Sequence, residues 1–389
     1  MTLSPLRSTV PFMSEEKAKM PSLFSILPAE PPALRGIARL AAHGEHADDG
    51  HLVEFRTLPV RSLMNKSVSK RTHWFVQSIN PYRGCEFACR YCYARYTHEF
   101  MEMKDPLEFE RKIFVKENAA WLLEQEIRKL RPGEEIAIGT ATDPYQPIER
   151  RARVTRSILG VLAKRSGLRL GIVTKSTLIT RDIDLLQTIA RRSRLSINIT
   201  ITTPDTELAR ILEPRAPRPD LRFRTVKRLR EAGLRAGILC SPLLPGITDN
   251  IHALEAMARR AKEVEACFFY ANPLFLKPCS KGTFLAFVRE HFPALENSYE
   301  RRYQDAAFVS KAYRQRVADL VAVVTRKYNL GPRFPADLTP PPEAIAEQEL
   351  PAPIQTELWP TEQPRLRRKD PQPARMGTGT DTPGQRGLR

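Results

Sequence analysis

The residues best suited to chemistry are three thiols within eight positions, Cys85, Cys89 and Cys92, spaced C-x3-C-x2-C behind Gly84. A single buried cysteine packs as a small hydrophobe. Three crowded into a polar loop would be poorly satisfied without a metal, and soft thiolates select zinc, copper or an iron–sulfur cluster. A closed zinc site needs four ligands, and His98 could complete one. The other solution is a 4Fe-4S cluster with three irons held by protein and one left open. No further cysteine follows Cys92 until Cys240.

The elements that must position such a loop are legible in the hydropathy pattern. Residues 74–80 form a short apolar stretch entering the loop, and residues 118–130 carry apolar side chains at helical spacing. Strands are then expected at 135–139, 168–174, 195–202, 234–240 and 266–270, with helices over 155–164, 182–192, 221–232 and 250–262 between them. Apolar strands joined by helical crossovers make a parallel sheet covered by helices. Six units without a dinucleotide-type glycine fingerprint predict an α/β fold, a partial (β/α)6 TIM-like barrel with its ligands at the carboxyl ends of the strands. The organisation expected is a mostly disordered segment 1–50, a barrel over 51–275, a helical extension over 276–335 and a Pro-rich disordered tail 336–389.

Composition narrows the class. The 389 residues bury a sizeable core without disulfide staples, and no apolar run of about 18 residues could span a membrane. The first residues lack the pattern of a signal peptide, so a cytoplasmic protein is expected. The net charge of +18 favours an anionic partner, nucleic acid first, although an Arg-rich solvated surface would give the same number. Residues 336–389 hold 7 basic and 8 acidic side chains, so the excess lies upstream.

The C-x3-C-x-aromatic-C spacing, with Tyr91 as the aromatic residue and a six-unit barrel behind it, resembles the radical S-adenosylmethionine (radical SAM) superfamily. Within it the chain is most similar to spore photoproduct lyase and the DNA repair photolyase-like radical SAM proteins, over roughly residues 75–275. The segments carrying this are NPYRGC (80–85), GTATDPYQPIE (139–149), IVTKS (172–176), LSINIT (195–200), LEPRAPRPDLR (212–222) and CSPLLPGITD (240–249). The resemblance implies an enzyme, lyase-like, in which Cys85, Cys89 and Cys92 hold a 4Fe-4S cluster. SAM would bind the open iron and be cleaved to a 5'-deoxyadenosyl radical by an electron from a reductant such as flavodoxin or ferredoxin. It also implies SAM contacts from Thr142, Asp143, Lys175, and Ser196 or Asn198.

One departure matters. Spore photoproduct lyase returns a hydrogen atom from a cysteine just after its second strand, where this chain reads Gly139-Thr140-Ala141-Thr142. Cys240 is the thiol placed to substitute, or else it is a small buried hydrophobe; Cys267 falls within a strand and Cys279 beyond the barrel. Tyr145 is expected on a substrate-facing loop, stacking or donating a proton. Arg215, Arg218, Arg222 and Arg224 make a basic run that reads as solvated surface, or less readily as a phosphate site. The substrate class stays open between nucleic acid and a protein or small metabolite. A non-catalytic metal-binding nucleic-acid module is the third reading, and it would need a fourth protein ligand.

Overall fold

In the computed structural model the described residues are 53–66, 76–130 and 134–333, together with 36–37 and, as backbone, 46–49. The expected disordered ends fall mainly outside them. His46–Asp49 is nevertheless a strand, inside a segment expected to be mostly unstructured.

Six parallel strands form the frame: β1 (Gln77–Ile79), β2 (Glu135–Ile138), β3 (Arg169–Thr174), β4 (Arg194–Thr200), β5 (Ala236–Leu243) and β6 (Phe269–Pro273). They lie side by side in chain order, and the antiparallel strand Met64–Lys66 covers the free edge of β1. Covering that edge removes a row of unpaired backbone groups that would otherwise invite pairing with another chain. Helices α1 (Ala119–Glu126), α2 (Val154–Ala163), α3 (Ile183–Arg192), α4 (Pro219–Glu231) and α5 (Ile251–Glu263) provide the crossovers. Strand alternation does the packing: in β4, Leu195, Ile197 and Ile199 join the main apolar core, while Ser196 and Asn198 point to the opposite, inner face.

Local chemistry sets the boundaries. Pro219 opens α4, and Gly233 at φ +75° follows its end. The Asn250 side chain accepts from the Ala253 amide at 2.9 Å to start α5. Beyond the barrel come α6 (Pro278–His291), the short helix Glu296–Arg302 and α7 (Lys311–Lys327). Helix α7 packs on α5 and β6, so the extension expected after residue 275 is built onto the barrel.

A second, four-stranded sheet is not evident from sequence: His46–Asp49, Glu54–Thr57, Lys112–Val115 and Tyr82–Arg83, in that order. Its last strand is two residues long and leads directly into the cysteine loop. Among the described residues no helix is long and apolar enough to cross a membrane.

Candidate functional site

The cysteine loop leaves the end of β1 and is tied down on every side. Gly84 has φ +82°, and a Cβ there would stand 2.7 Å from the Lys112 carbonyl oxygen and 2.8 Å from that of Phe109. Only glycine meets both the conformation and the close approach. Ala88 also lies in the left-handed region, at φ +54°, and turns the chain back between Cys85 and Cys89. The Cys85 amide donates to Phe109 O at 2.9 Å, and the Arg90 amide to Leu212 O at 2.9 Å. Arg95, buried, donates to the Cys89 carbonyl at 3.1 Å and pairs with Glu110 at 2.6 Å.

The loop after β2 provides a second set of ties. Asn80 donates to Thr140 Oγ1 at 3.2 Å and accepts from the Ala141 amide at 2.8 Å. Thr142 donates its hydroxyl to the Gly84 carbonyl at 2.5 Å and accepts from Gln146 Nε2 at 3.0 Å. Gln146 Oε1 in turn accepts from the Glu86 amide, and Glu86 Oε1 from the Ile148 amide. Asp143 accepts from the Tyr145 amide (2.9 Å), the Thr174 hydroxyl (2.6 Å) and the Lys175 amide (2.7 Å). Thr142 and Asp143, expected as cofactor contacts, thus spend most of their hydrogen-bonding capacity joining β1, β2 and β3 at their carboxyl ends.

Tyr91 stands between the second and third cysteines. Its hydroxyl donates to Glu213 and lies 3.0 Å from Thr202 Oγ1, which donates to the same Glu213 oxygen at 2.8 Å. Glu213 pairs with Arg222 at 2.5 Å, both side chains being 1% exposed. Burial opposes the charge on Glu213, but Arg222 and Lys175 hold its carboxyl below the usual range. Lys175 Nζ lies 5.6 Å from the centre of the Tyr91 ring. Burial works against that ammonium, while Cys89 and Glu213 raise its pKa.

The thiols fit a soft metal centre. Burial pushes Cys89 up to about 12 and raises Cys85 and Cys92; Cys85 feels both other thiols and Cys89 feels Cys92, while Cys92 is raised further by Cys279 and lowered by Arg95 and Lys175. Such thiols stay protonated at neutral pH until a metal displaces the protons. Among the described residues no three His, Cys, Asp or Glu groups converge on one ion. His98, which could complete a zinc site, is buried with its Nε2 3.0 Å from the Lys112 carbonyl oxygen and its ring edge-on to Phe109 and Phe114.

Several expected site residues lie elsewhere. Asn198 donates to Ile172 O at 3.0 Å and accepts from Arg333 Nε at 2.8 Å, so it fills the barrel interior. Ser196 lies deeper still, its hydroxyl buried without a hydrogen-bond partner among the described residues. Both share a face with the strand end, but Thr202 is the side chain that reaches the cysteine loop. Tyr145 is not on a substrate-facing surface: it is 1% exposed in the main core, near Asp182 and Glu149. Cys240 is fully buried, its thiol 3.5 Å from Thr202 O.

Three features escape the sequence. Glu213 and Arg222 sit in the quoted LEPRAPRPDLR segment, yet the four-arginine run there conceals a buried ion pair; Arg218 and Arg224 do pair on the surface with Asp220. Cys279, expected beyond the barrel, returns to the site. Its thiol donates to the Tyr93 carbonyl at 3.6 Å, and the neighbouring Ser280 hydroxyl donates to the Cys92 carbonyl at 2.6 Å. The short strand Tyr82–Arg83 carries no periodic signal.

A parallel six-strand partial barrel with a three-thiol loop after its first strand defines a class of cofactor-dependent enzymes. The sequence model of the radical SAM superfamily matches residues 79–261. An uncharacterized protein of Mycobacterium tuberculosis is 32% identical over 338 residues, spanning 86% of this chain and 96% of its own length. Another, from Methanocaldococcus jannaschii, is 30% identical over 230 residues, 59% of this chain and 80% of that one. A spore photoproduct lyase variant solved with AdoMet and dinucleoside spore photoproduct shares the fold. Its TM-score is 0.50 at 14% identity, covering 76% of this chain and 85% of that one. The chain belongs to the radical SAM superfamily, and membership implies an enzyme that uses SAM, an iron–sulfur cluster and a reductant.

Proposed function

We propose that Cys85, Cys89 and Cys92 hold a 4Fe-4S cluster with one iron open to SAM, and that the protein acts on nucleic acid. When bound, cluster and SAM supply a 5'-deoxyadenosyl radical that abstracts hydrogen from the substrate. The chain's own residues bind, orient and shield. Gly84, Ala88 and Arg95 fix the loop, Thr142 and Asp143 hold the surrounding strand ends together, and Lys175 offers a cation for the SAM carboxylate.

The observation that carries this reading is the loop of three closely spaced thiols, with Cys85 and Cys89 buried and Cys85 feeling both of the others. Nucleic acid as substrate is supported by the net charge of +18 and by the fold shared with a protein solved with a dinucleoside. Flavodoxin or ferredoxin would deliver the electron, in the cytoplasm.

Anaerobic reconstitution followed by dithionite and SAM tests the proposal. About four irons per chain and 5'-deoxyadenosine are expected. Cys85→Ala, Cys89→Ala and Cys92→Ala should each lose both, whereas Cys279→Ser should keep both, because its thiol is turned to the Tyr93 carbonyl. Bound zinc and no SAM cleavage under any reductant would leave a structural metal module instead.

A further inference from the structure

An aromatic strip lies beside the cysteine loop and takes no part in the contacts that hold it, apart from one phenol. Phe308 stacks on Phe275 with ring centres 4.3 Å apart; Phe275 lies 5.8 Å from Tyr93, Tyr93 6.5 Å from Tyr96 at 18°, and Tyr96 5.7 Å from Phe100. The strip follows the rim where ligands bind in this fold. The Tyr93 hydroxyl donates to Thr140 O just past β2, and Phe275 comes two residues after β6. Two of its members are open to solvent, Tyr93 at 39% and Phe100 at 59%, and the other three are half-buried.

Large aromatic side chains normally bury themselves in a core, and an exposed row rimmed by charge marks a binding surface. The charge here is positive. Lys277 Nζ sits 3.5 Å from the centre of the Tyr96 ring and 6.0 Å from that of Phe275. Arg83 is near enough to Tyr96 to act on it electrostatically. Aromatic faces interleaved with cations suit unpaired nucleotides, whose bases stack on the rings while their phosphates meet the cations. A paired base in a duplex has both faces covered by its neighbours and cannot use such a strip.

We infer that Tyr93 and Phe100, with Lys277 between the rings, form a stacking platform that takes unpaired bases of single-stranded or locally opened nucleic acid at the mouth of the cysteine loop. The inference rests on the nucleic-acid reading above and sharpens it: the substrate is engaged as exposed bases, not as an intact duplex.

The test is equilibrium binding by fluorescence anisotropy on the reconstituted protein. The probes are an oligothymidylate of about 16 nucleotides, an abasic strand of the same length, and the matching duplex. Base-bearing single strand should bind about tenfold tighter, or more, than the abasic strand or the duplex. Phe100→Ala, a solvent-exposed change, should weaken oligothymidylate about tenfold and leave the abasic strand unaffected. Tyr93→Phe keeps the ring and should retain the base preference, while Tyr93→Leu should lose it. Lys277→Gln should weaken all strands alike and flatten the salt dependence.

Equal affinity for base-bearing and abasic strands, or no effect of Phe100→Ala and Tyr93→Leu, overturns the inference. So does polyglutamate binding as tightly as oligothymidylate with the same dependence on Phe100, which would assign the strip to a protein partner. Formation of 5'-deoxyadenosine without nucleic acid, measured on the same preparation, separates the two levels. Normal SAM cleavage with no base preference removes only the platform. Base preference without SAM cleavage removes only the radical chemistry.

Discussion

Replacing Glu213 with alanine strands the Arg222 guanidinium in the interior, and the structure sets the size of the penalty. Removing one partner of a buried ion pair costs about 3–5 kcal/mol, because the remaining charge is left uncompensated. Arg222 keeps two backbone acceptors, Pro217 O at 2.6 Å and Thr200 O at 3.2 Å, which places the loss near the lower figure, about 3 kcal/mol. Tyr91 and Thr202 both donate to Glu213, but their hydroxyls lie 3.0 Å apart and can bond each other. Only one donor is therefore left unmade, for about 1 kcal/mol more. Glu213→Ala should lose about 4 kcal/mol in anaerobic urea denaturation of the reconstituted protein. Its iron content should fall as well, because Tyr91 is freed between two of the cysteines. Arg222→Met combined with Glu213→Gln should recover much of the stability, giving a coupling above about 1 kcal/mol in the double-mutant cycle. Arg222 and Lys175 also hold the carboxyl below its ordinary value, so the pair's contribution should persist at neutral pH and fade only in acid below that value. A cost under about 1 kcal/mol, or an additive cycle, would refute the claim that this pair anchors the loop.

Three further outcomes follow from the same geometry. Gly84→Ala places a Cβ within 2.9 Å of two carbonyl oxygens and the Ile113 side chain at φ +82°, and should lower both melting temperature and iron content. Asp143→Asn presents an amide donor to backbone N–H groups in place of an acceptor, and should cost about 2 kcal/mol by thermal denaturation; an unchanged melting temperature would count against its role as a tie. Burial, assisted by Arg83 and opposed by Glu126, pulls the Lys116 ammonium down to about 7. The unfolded chain therefore takes up this proton first: the penalty is absent above the ordinary lysine range, grows as the pH falls, and is complete below about 7. Lys116→Met should stabilise the protein by about 3 kcal/mol at pH 8, with the gain shrinking toward pH 10.5, as melting curves across that range would show.

The parts of this molecule that are periodic are legible in its sequence. β3 through β6 and their crossover helices each supply several residues of strand or helix rhythm, and most lie within two residues of the expected bounds. The strand Tyr82–Arg83 is too short to have a rhythm, so the second sheet stays hidden. The cysteine spacing stands out because three like ligands recur within one loop. The supporting residues do not, since what decides their role is a partner far along the chain. Arg222 reads as surface until Glu213 is placed beside it, and Asp143 reads as a ligand contact until its oxygens meet Thr174 and Lys175. Ser196 and Asn198 share their parity along β4 with Thr202, and which of these side chains reaches the cysteine loop depends on where that loop meets the strand end.

The hydrogen bond from Ser280 to the Cys92 carbonyl joins positions 188 residues apart. It links the loop that leaves the first barrel strand to the helix that follows the last one. Closing so long a chain segment carries a large loop-closure cost, so this contact is expected to form late in folding. The loop's shape is then a property of the whole barrel, not of its own eight residues. Reactivity of the Cys92 thiol and backbone circular dichroism should accordingly report a single urea transition. Damage at a remote crossover helix should open the cysteine loop as readily as damage beside it.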